Sequence, residues 1–219
     1  MGNETNNTLS EIAYCKIKNN ILNNIYAPGS TLTEVLLAEE LGMSRQPIRF
    51  AIHRLYEDGW INGIQRRNIR VSDVTSEDAR EVYHVRNLLE LGALKEIFKQ
   101  DKTWEYSFAL EELILKMRAN INDFSRQELL DLDFHTYMLN IYDNTRIEKF
   151  YYMIRDSIYR INMLVNYQYD NITSNIDELM EIVLCIRNKN YESAETLYTK
   201  HLEKGLEFAT KRLKNTEEL

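Results

Sequence analysis

Two prolines, Pro28 and Pro47, and seven glycines are all that this 219-residue chain offers to interrupt a helix. Relative to alanine, a helix interior loses about 3 kcal/mol to proline and about 1 kcal/mol to glycine. Their scarcity therefore favours long helices over many short strands. Hydrophobic residues make up 44% of the chain and charged residues 28%, the balance of a globular protein. The length suits one large domain or two ordinary ones, each able to bury a substantial core. The predicted class is mainly α.

Leu9, Ile12, Ala13, Ile17, Ile21 and Ile25 recur at helical spacing and predict a first helix that stops before Ala27-Pro28-Gly29. Thr33 offers an N-cap with Glu34 beside it, and Leu36, Leu37 and Leu41 give a short second helix closed by Gly42. Ser44 is a further N-cap, after which Ile48, Ala51, Ile52 and Leu55 repeat as i, i+3, i+4, i+7. Pro47 falls in the first turn of this third helix, where its missing N–H has no intrahelical acceptor to lose. Trp60 to Ile64 and Ile69 to Ser72 then read as two short strands around Gln65-Arg66-Arg67-Asn68, a hairpin with a basic tip. Two helices meeting at a glycine turn and followed by such a ribbon predict a winged helix-turn-helix over residues 1–74.

The net charge of −7 is unevenly spread. Residues 1–75 carry eight Lys and Arg against eight Asp and Glu, so the whole excess lies beyond them. Within the first part the arginines crowd into 45–70, the local footprint that phosphate binding needs. Arg45, Arg49 and His53 fall at i, i+4, i+8 and share one stripe opposite the apolar face, a shape suited to a major groove. Arginine on a polar helix face is usually just solvated, but the ordered series of three helices, glycine turn and basic hairpin is the rarer pattern.

Ala27 to Leu32, Leu41-Gly42-Met43-Ser44-Arg45-Gln46-Pro47-Ile48-Arg49 and Leu55-Tyr56-Glu57-Asp58-Gly59-Trp60 together resemble the GntR family of bacterial regulators. The resemblance implies DNA contacts from Ser44, Arg45, Gln46 and Arg49, with Arg66 and Arg67 in the wing. Gln46 stands where threonine is frequent, and Asn68 where the wing usually has glycine. Asparagine tolerates positive φ, so the wing is expected to be kept and the operator preference altered.

Ser72 to Asp78 is a polar joint, with Ser76 and Asp78 marking a new helix start. From there residues 75–219 read as helices near 77–99, 104–122, 126–141, 145–168, 173–188 and 191–213. Joined by short connections, they predict an antiparallel all-α bundle whose interior suits a buried ligand. Glu81 to Glu90, Asp131-Leu132-Asp133-Phe134-His135, Asp143 to Ile147 and Ala194 to Leu202 resemble the FCD-type effector domain of the FadR-like branch.

Many members of that branch hold a divalent metal through an Asp and a His one turn apart and two later His. Asp131, His135 and His201 match three of these places, and Leu179 stands at the fourth. The resemblance thus implies one divalent ion, zinc or similar, bound more weakly and completed by water or effector. The alternative is a solvated or capping Asp131 and histidines that only pack. For an effector, Arg86, Asn144, Arg155 and Tyr159 are the candidate contacts, with Asn162 and Asn166 on the same stripe as Arg155. They would pair with an anionic ligand, a carboxylate as the resemblance implies; an ordinary helix surface explains each equally well. The fourteen tyrosines read as core and dimer packing.

Cys15 and Cys185 indicate neither a disulfide framework nor a cysteine zinc site, which fits a reducing cytoplasm. No leader-like N-terminus and no apolar run of membrane-spanning length appears. The expected protein is a homodimeric, effector-controlled repressor on a palindromic operator in double-stranded DNA. Two rivals stand beside it: a metal-dependent enzyme using Asp131, His135 and His201, which lacks a general base or nucleophile constellation, and a DNA-binding protein without effector.

Overall fold

The computed structural model describes residues 8–63, 69–165 and 167–217. The chain divides into two compact units, Met1–Val74 and Thr75–Leu219.

In the first unit, α1 (Leu9–Leu22) opens on a capping box in which Thr8 and Glu11 satisfy each other's backbone N–H. It is shorter than its apolar repeat suggested: Ile25 lies beyond its end and is exposed. β1 (Thr31–Leu32) follows, then α2 (Glu34–Leu41), capped by the Thr33 hydroxyl accepting from the Leu36 N–H. Leu37 is fully buried, whereas Leu36 turns outward. Gly42 ends α2 at φ 62°, left-handed backbone that costs glycine no Cβ clash, and α3 (Arg45–Glu57) starts three residues later. Pro47, Ile48, Ala51, Ile52 and Leu55 bury one face of α3 against α1, where Ala13, Ile17 and Ile21 meet it. Each such Ile or Leu contributes about 1.5–3 kcal/mol by leaving water.

β2 (Ile61–Asn62) and β3 (Ile69–Val71) pair antiparallel, with Ile61 opposite Val71. β3 also pairs with β1, Leu32 opposite Ile69, so the sheet has the order β1-β3-β2. The hairpin alone was expected; two residues are too few to show the alternation that signals a strand.

The helices of the second unit are α4 (Ser76–Lys99), α5 (Thr103–Ala119), α6 (Phe124–Met138), α7 (Thr145–Val165), α8 (Tyr167–Arg187) and α9 (Tyr191–Glu217), and its described residues include no strand. Thr75, rather than Ser76, caps α4, in a capping box with Asp78. α6 closes early into a 3-10 turn over Leu139–Tyr142. α8 begins at Tyr167, well before the expected residue 173. Asn175 donates to Asp131 and Ser174 to Glu178. Leu94, Ile97, Leu110, Ile114, Phe134 and Ile182 are among the buried residues that form one continuous core. α4 packs on α9, and α8 on both α9 and α5.

Candidate nucleic-acid interface and buried polar cluster

The buried face of α3 forces its other residues outward: Arg45, Gln46, Arg49 and His53 are all exposed. Ser44 occupies the N-cap position with extended backbone, φ −68° and ψ 161°, but its hydroxyl makes no cap hydrogen bond. The exposed hydroxyl therefore remains available to a ligand. Arg49 is held from α2, with Nε donating to Glu34 Oε1 at 3.1 Å and Nη2 to Oε2 at 3.0 Å. That carboxylate raises the already high pKa of Arg49. Glu34, Arg45, Arg49 and Ile69 border a cleft of about 390 Å³. Arg66, Arg67 and Asn68 lie outside the described residues.

The helical unit carries a second arrangement that no exposed face explains. Glu90 of α4 is completely buried and accepts from Arg86 Nε and from the Tyr151 hydroxyl, each at 2.7 Å from Oε1. Its Oε2 accepts from the Tyr198 hydroxyl at 2.7 Å and lies 2.9 Å from His135 Nδ1. Burial opposes ionisation of Glu90, but Arg86 and then His135 outweigh it and hold the carboxyl well below its ordinary range. Burial likewise disfavours the charged form of Arg86, and the adjoining Glu90 overcomes it. Glu90 takes the one hydrogen bond that Arg86 makes among the described residues, through Nε.

Hydrogen bonding also fixes the His135 ring. Tyr198 spends its proton on Glu90, so its oxygen can only accept from His135 Nδ1, 2.8 Å away. Nδ1 is then the protonated nitrogen. Among the described residues Nε2 is buried without a hydrogen-bond partner, 3.7 Å from Asp131 Oδ2. Asp131 Oδ1 meanwhile accepts from Asn175 at 2.7 Å.

A ligating histidine is commonly tethered in this way through its other nitrogen, so His135 and Asp131 offer two donors of the kind a divalent ion takes. The rest of the implied set does not assemble. His201 stacks on His135 with ring centroids 5.5 Å apart and turns Nδ1 to Glu178 Oε2 at 3.3 Å. Leu179 is fully buried in the apolar core. Among the described residues, no group of three or more His, Cys, Asp and Glu side chains is placed to hold an ion. The residues present therefore do not fit a resident metal with its usual three protein ligands.

The expected effector contacts separate. Arg86 joins the buried cluster, and Tyr159 and Asn162 are buried nearby in sequence on α7, Asn162 donating to Glu128 Oε2 at 3.1 Å. Asn144 instead caps α7, its Oδ1 accepting from the N–H groups of Arg146 and Ile147. Arg155 pairs with Asp133 at 2.8 Å, and Asn166 lies outside the described residues. Glu90, Tyr151, Tyr198 and Asn175 were missed as site residues. Arg86 and Glu90 at i, i+4 among Val85, Leu88, Leu89 and Leu91 carried a readable signal; Asn175 did not.

Comparison with known proteins supports both units. Residues 9–71 match the bacterial regulatory proteins of the gntR family, and residues 81–204 match the FCD domain. The chain is 27% identical over 185 residues to the HTH-type transcriptional regulator YdhC of Bacillus subtilis, covering 83% of this chain and 82% of that one. It is 22% identical over 203 residues to the HTH-type transcriptional repressor RspR of Escherichia coli, covering 87% and 84%. The fold resembles a GntR transcriptional regulator from Rhodococcus sp. RHA1, with TM-score 0.72 and 19% identity over 91% of this chain and 96% of that one. It also resembles E. coli McbR/YncC, with TM-score 0.70, 17% identity and coverage of 94% and 98%. The chain thus belongs to the gntR family of bacterial transcriptional regulators, with an FCD domain behind its DNA-binding head.

Proposed function

We propose that this regulator is a sequence-specific repressor, working as a homodimer on a two-fold operator and controlled by a small carboxylate bound in the helical unit. The observation that carries the DNA reading is the exposed row Ser44, Arg45, Gln46 and Arg49 at the N-terminal end of α3. A helix end of this kind enters a major groove, and arginine reads guanine through paired hydrogen bonds. A relative named as a repressor, RspR, supports the direction of control. One head makes few base contacts, which favours a dimer reading two half-sites.

The effector reading rests on Arg86. Its terminal nitrogens have no acceptor among the described residues, and a carboxylate is the ligand that a guanidinium fork fits. His135 Nε2, buried and without a hydrogen-bond partner among the described residues, suits a hydroxyl or amine donor on the same ligand. No metal-dependent step enters this reading. Control follows from linkage: a ligand that prefers one state of the helical unit shifts the affinity for DNA.

Selection of duplexes from a random library by the full-length protein tests the first part. An enriched, two-fold symmetric sequence is expected, and a library that stays random removes the proposal. A panel of small carboxylates tests the second. At least one should raise the melting temperature of the wild type but not of Arg86→Ala.

A further inference from the structure

We propose that Glu34 is a specificity-determining residue: it positions Arg49 for reading a base and prevents that arginine from serving as an unselective phosphate contact. The inference rests on the DNA-binding reading of α3 and extends it to a residue on α2. Its basis is geometric. Glu34 engages the side edge of the guanidinium, Nε and Nη2, at 3.1 and 3.0 Å. The end of the fork, Nη1 with the second proton of Nη2, is left for another acceptor pair. That edge can meet guanine O6 and N7 as a bidentate pair. A long side chain otherwise free to rotate is thereby held before DNA arrives, and less of its freedom is lost on binding.

The pair is open to solvent, with the Arg49 side chain 62% and that of Glu34 32% exposed, so it adds little to fold stability. A bidentate pair kept at the surface, on the stripe the helix turns outward, is better explained by what it presents. Its charge has a second consequence. A carboxylate beside Arg49 cancels the attraction of that guanidinium for a backbone phosphate, while a guanine edge carries no full negative charge to repel. Glu34 therefore penalises indiscriminate binding more than sequence-specific binding. The same residue lies in the first turn of α2, but the cap hydrogen bond there belongs to Thr33, so Glu34 can be changed without removing the cap.

The experiment compares Glu34→Gln, Arg49→Ala and the double variant in the full-length protein. The probes are a duplex enriched by the wild type and a shuffled duplex of the same composition. Glu34→Gln is expected to lower affinity for the enriched duplex by about tenfold, the scale of one misplaced bidentate contact. Affinity for the shuffled duplex should rise, with a salt dependence steeper by about one counterion. In the Arg49→Ala background Glu34→Gln should leave the ratio of the two affinities unchanged, a result that a merely structural role would not give. An unaltered ratio in Glu34→Gln alone overturns the proposal. So does an equal fall on both duplexes with a lowered melting temperature, or an undiminished effect without Arg49. If the wild type enriches no sequence, the DNA reading itself fails and this inference falls with it.

Discussion

Arg86 and Glu90 form an ion pair at 2.7 Å with side-chain exposures of 4% and 0%, one helical turn apart on α4. Taking two charges out of water is offset only while both remain, since a stranded partner keeps its desolvation cost. Glu90→Ala is expected to destabilise the protein by about 3–5 kcal/mol in urea unfolding. Adding Arg86→Met to the same chain should recover part of that loss. A double variant less stable than Glu90→Ala would show that Arg86 is not the stranded charge.

Gly205 lies where a helix meets a buried ring. A Cβ at this position would stand 2.9 Å from the Tyr83 hydroxyl, and Tyr83 is 1% exposed. Gly205→Ala is expected to cost about 1–3 kcal/mol by overpacking, despite the better helix propensity of alanine. Tyr83→Phe removes the nearest atom and should reduce the penalty. Thermal unfolding of the three variants checks this, and a stabilised Gly205→Ala would show that the neighbouring ring yields.

The arginines of α3 bear on DNA and not on the core. Arg45→Ala with Arg49→Ala should abolish sequence-specific binding while leaving the circular dichroism spectrum and the melting temperature close to those of the wild type. Gel-shift titration on an enriched duplex measures the first. Intact specific binding would transfer the reading role elsewhere.

Alkaline pH acts through buried phenols. Burial, with hydrogen bonding to Glu40, pushes Tyr26 up to about 12, and burial pushes Tyr83 up to about 12. Both values lie above those of the unfolded chain, so the stability they contribute is present below about pH 10 and is lost as pH rises towards about 12. Thermal unfolding across that window should show a falling melting temperature, with a shallower slope in Tyr26→Phe. An unchanged slope would mean that Tyr26 ionises as freely folded as unfolded.

Leu179 bears on metal binding. Asn175, one turn earlier on α8, already reaches Asp131, so Leu179→His places an imidazole one turn further along the helix. Added zinc is expected to raise the melting temperature of Leu179→His more than that of the wild type, and His135→Ala should cancel the gain. An equal response in wild type and Leu179→His would dismiss Leu179 as the obstacle.

Where one periodicity or one cap decided an element, the residues announced it. The Thr33 cap, the Gly42 turn and the buried face of α3 all follow from local pattern. The helical class of the second unit followed from the same spacing and from the scarcity of proline. What escaped depended on partners distant in sequence. β1 exists because β3 pairs with it 38 residues later, Thr31 opposite Arg70 and Leu32 opposite Ile69. Asn175 fell inside the helix expected from residue 173, but nothing local shows that it has a buried carboxylate to meet. For the site, the outward arginines of α3 were legible from their spacing. Glu34 as the partner of Arg49 was not, because 15 residues and a glycine turn separate the two.

Glu90 gathers donors from four helices: Arg86 on α4, His135 on α6, Tyr151 on α7 and Tyr198 on α9. A single carboxylate thereby acts as the hub of four spokes. Tension on any one donor is passed to the other three through two oxygen atoms, and none of the helices can be repositioned there without renegotiating the whole set.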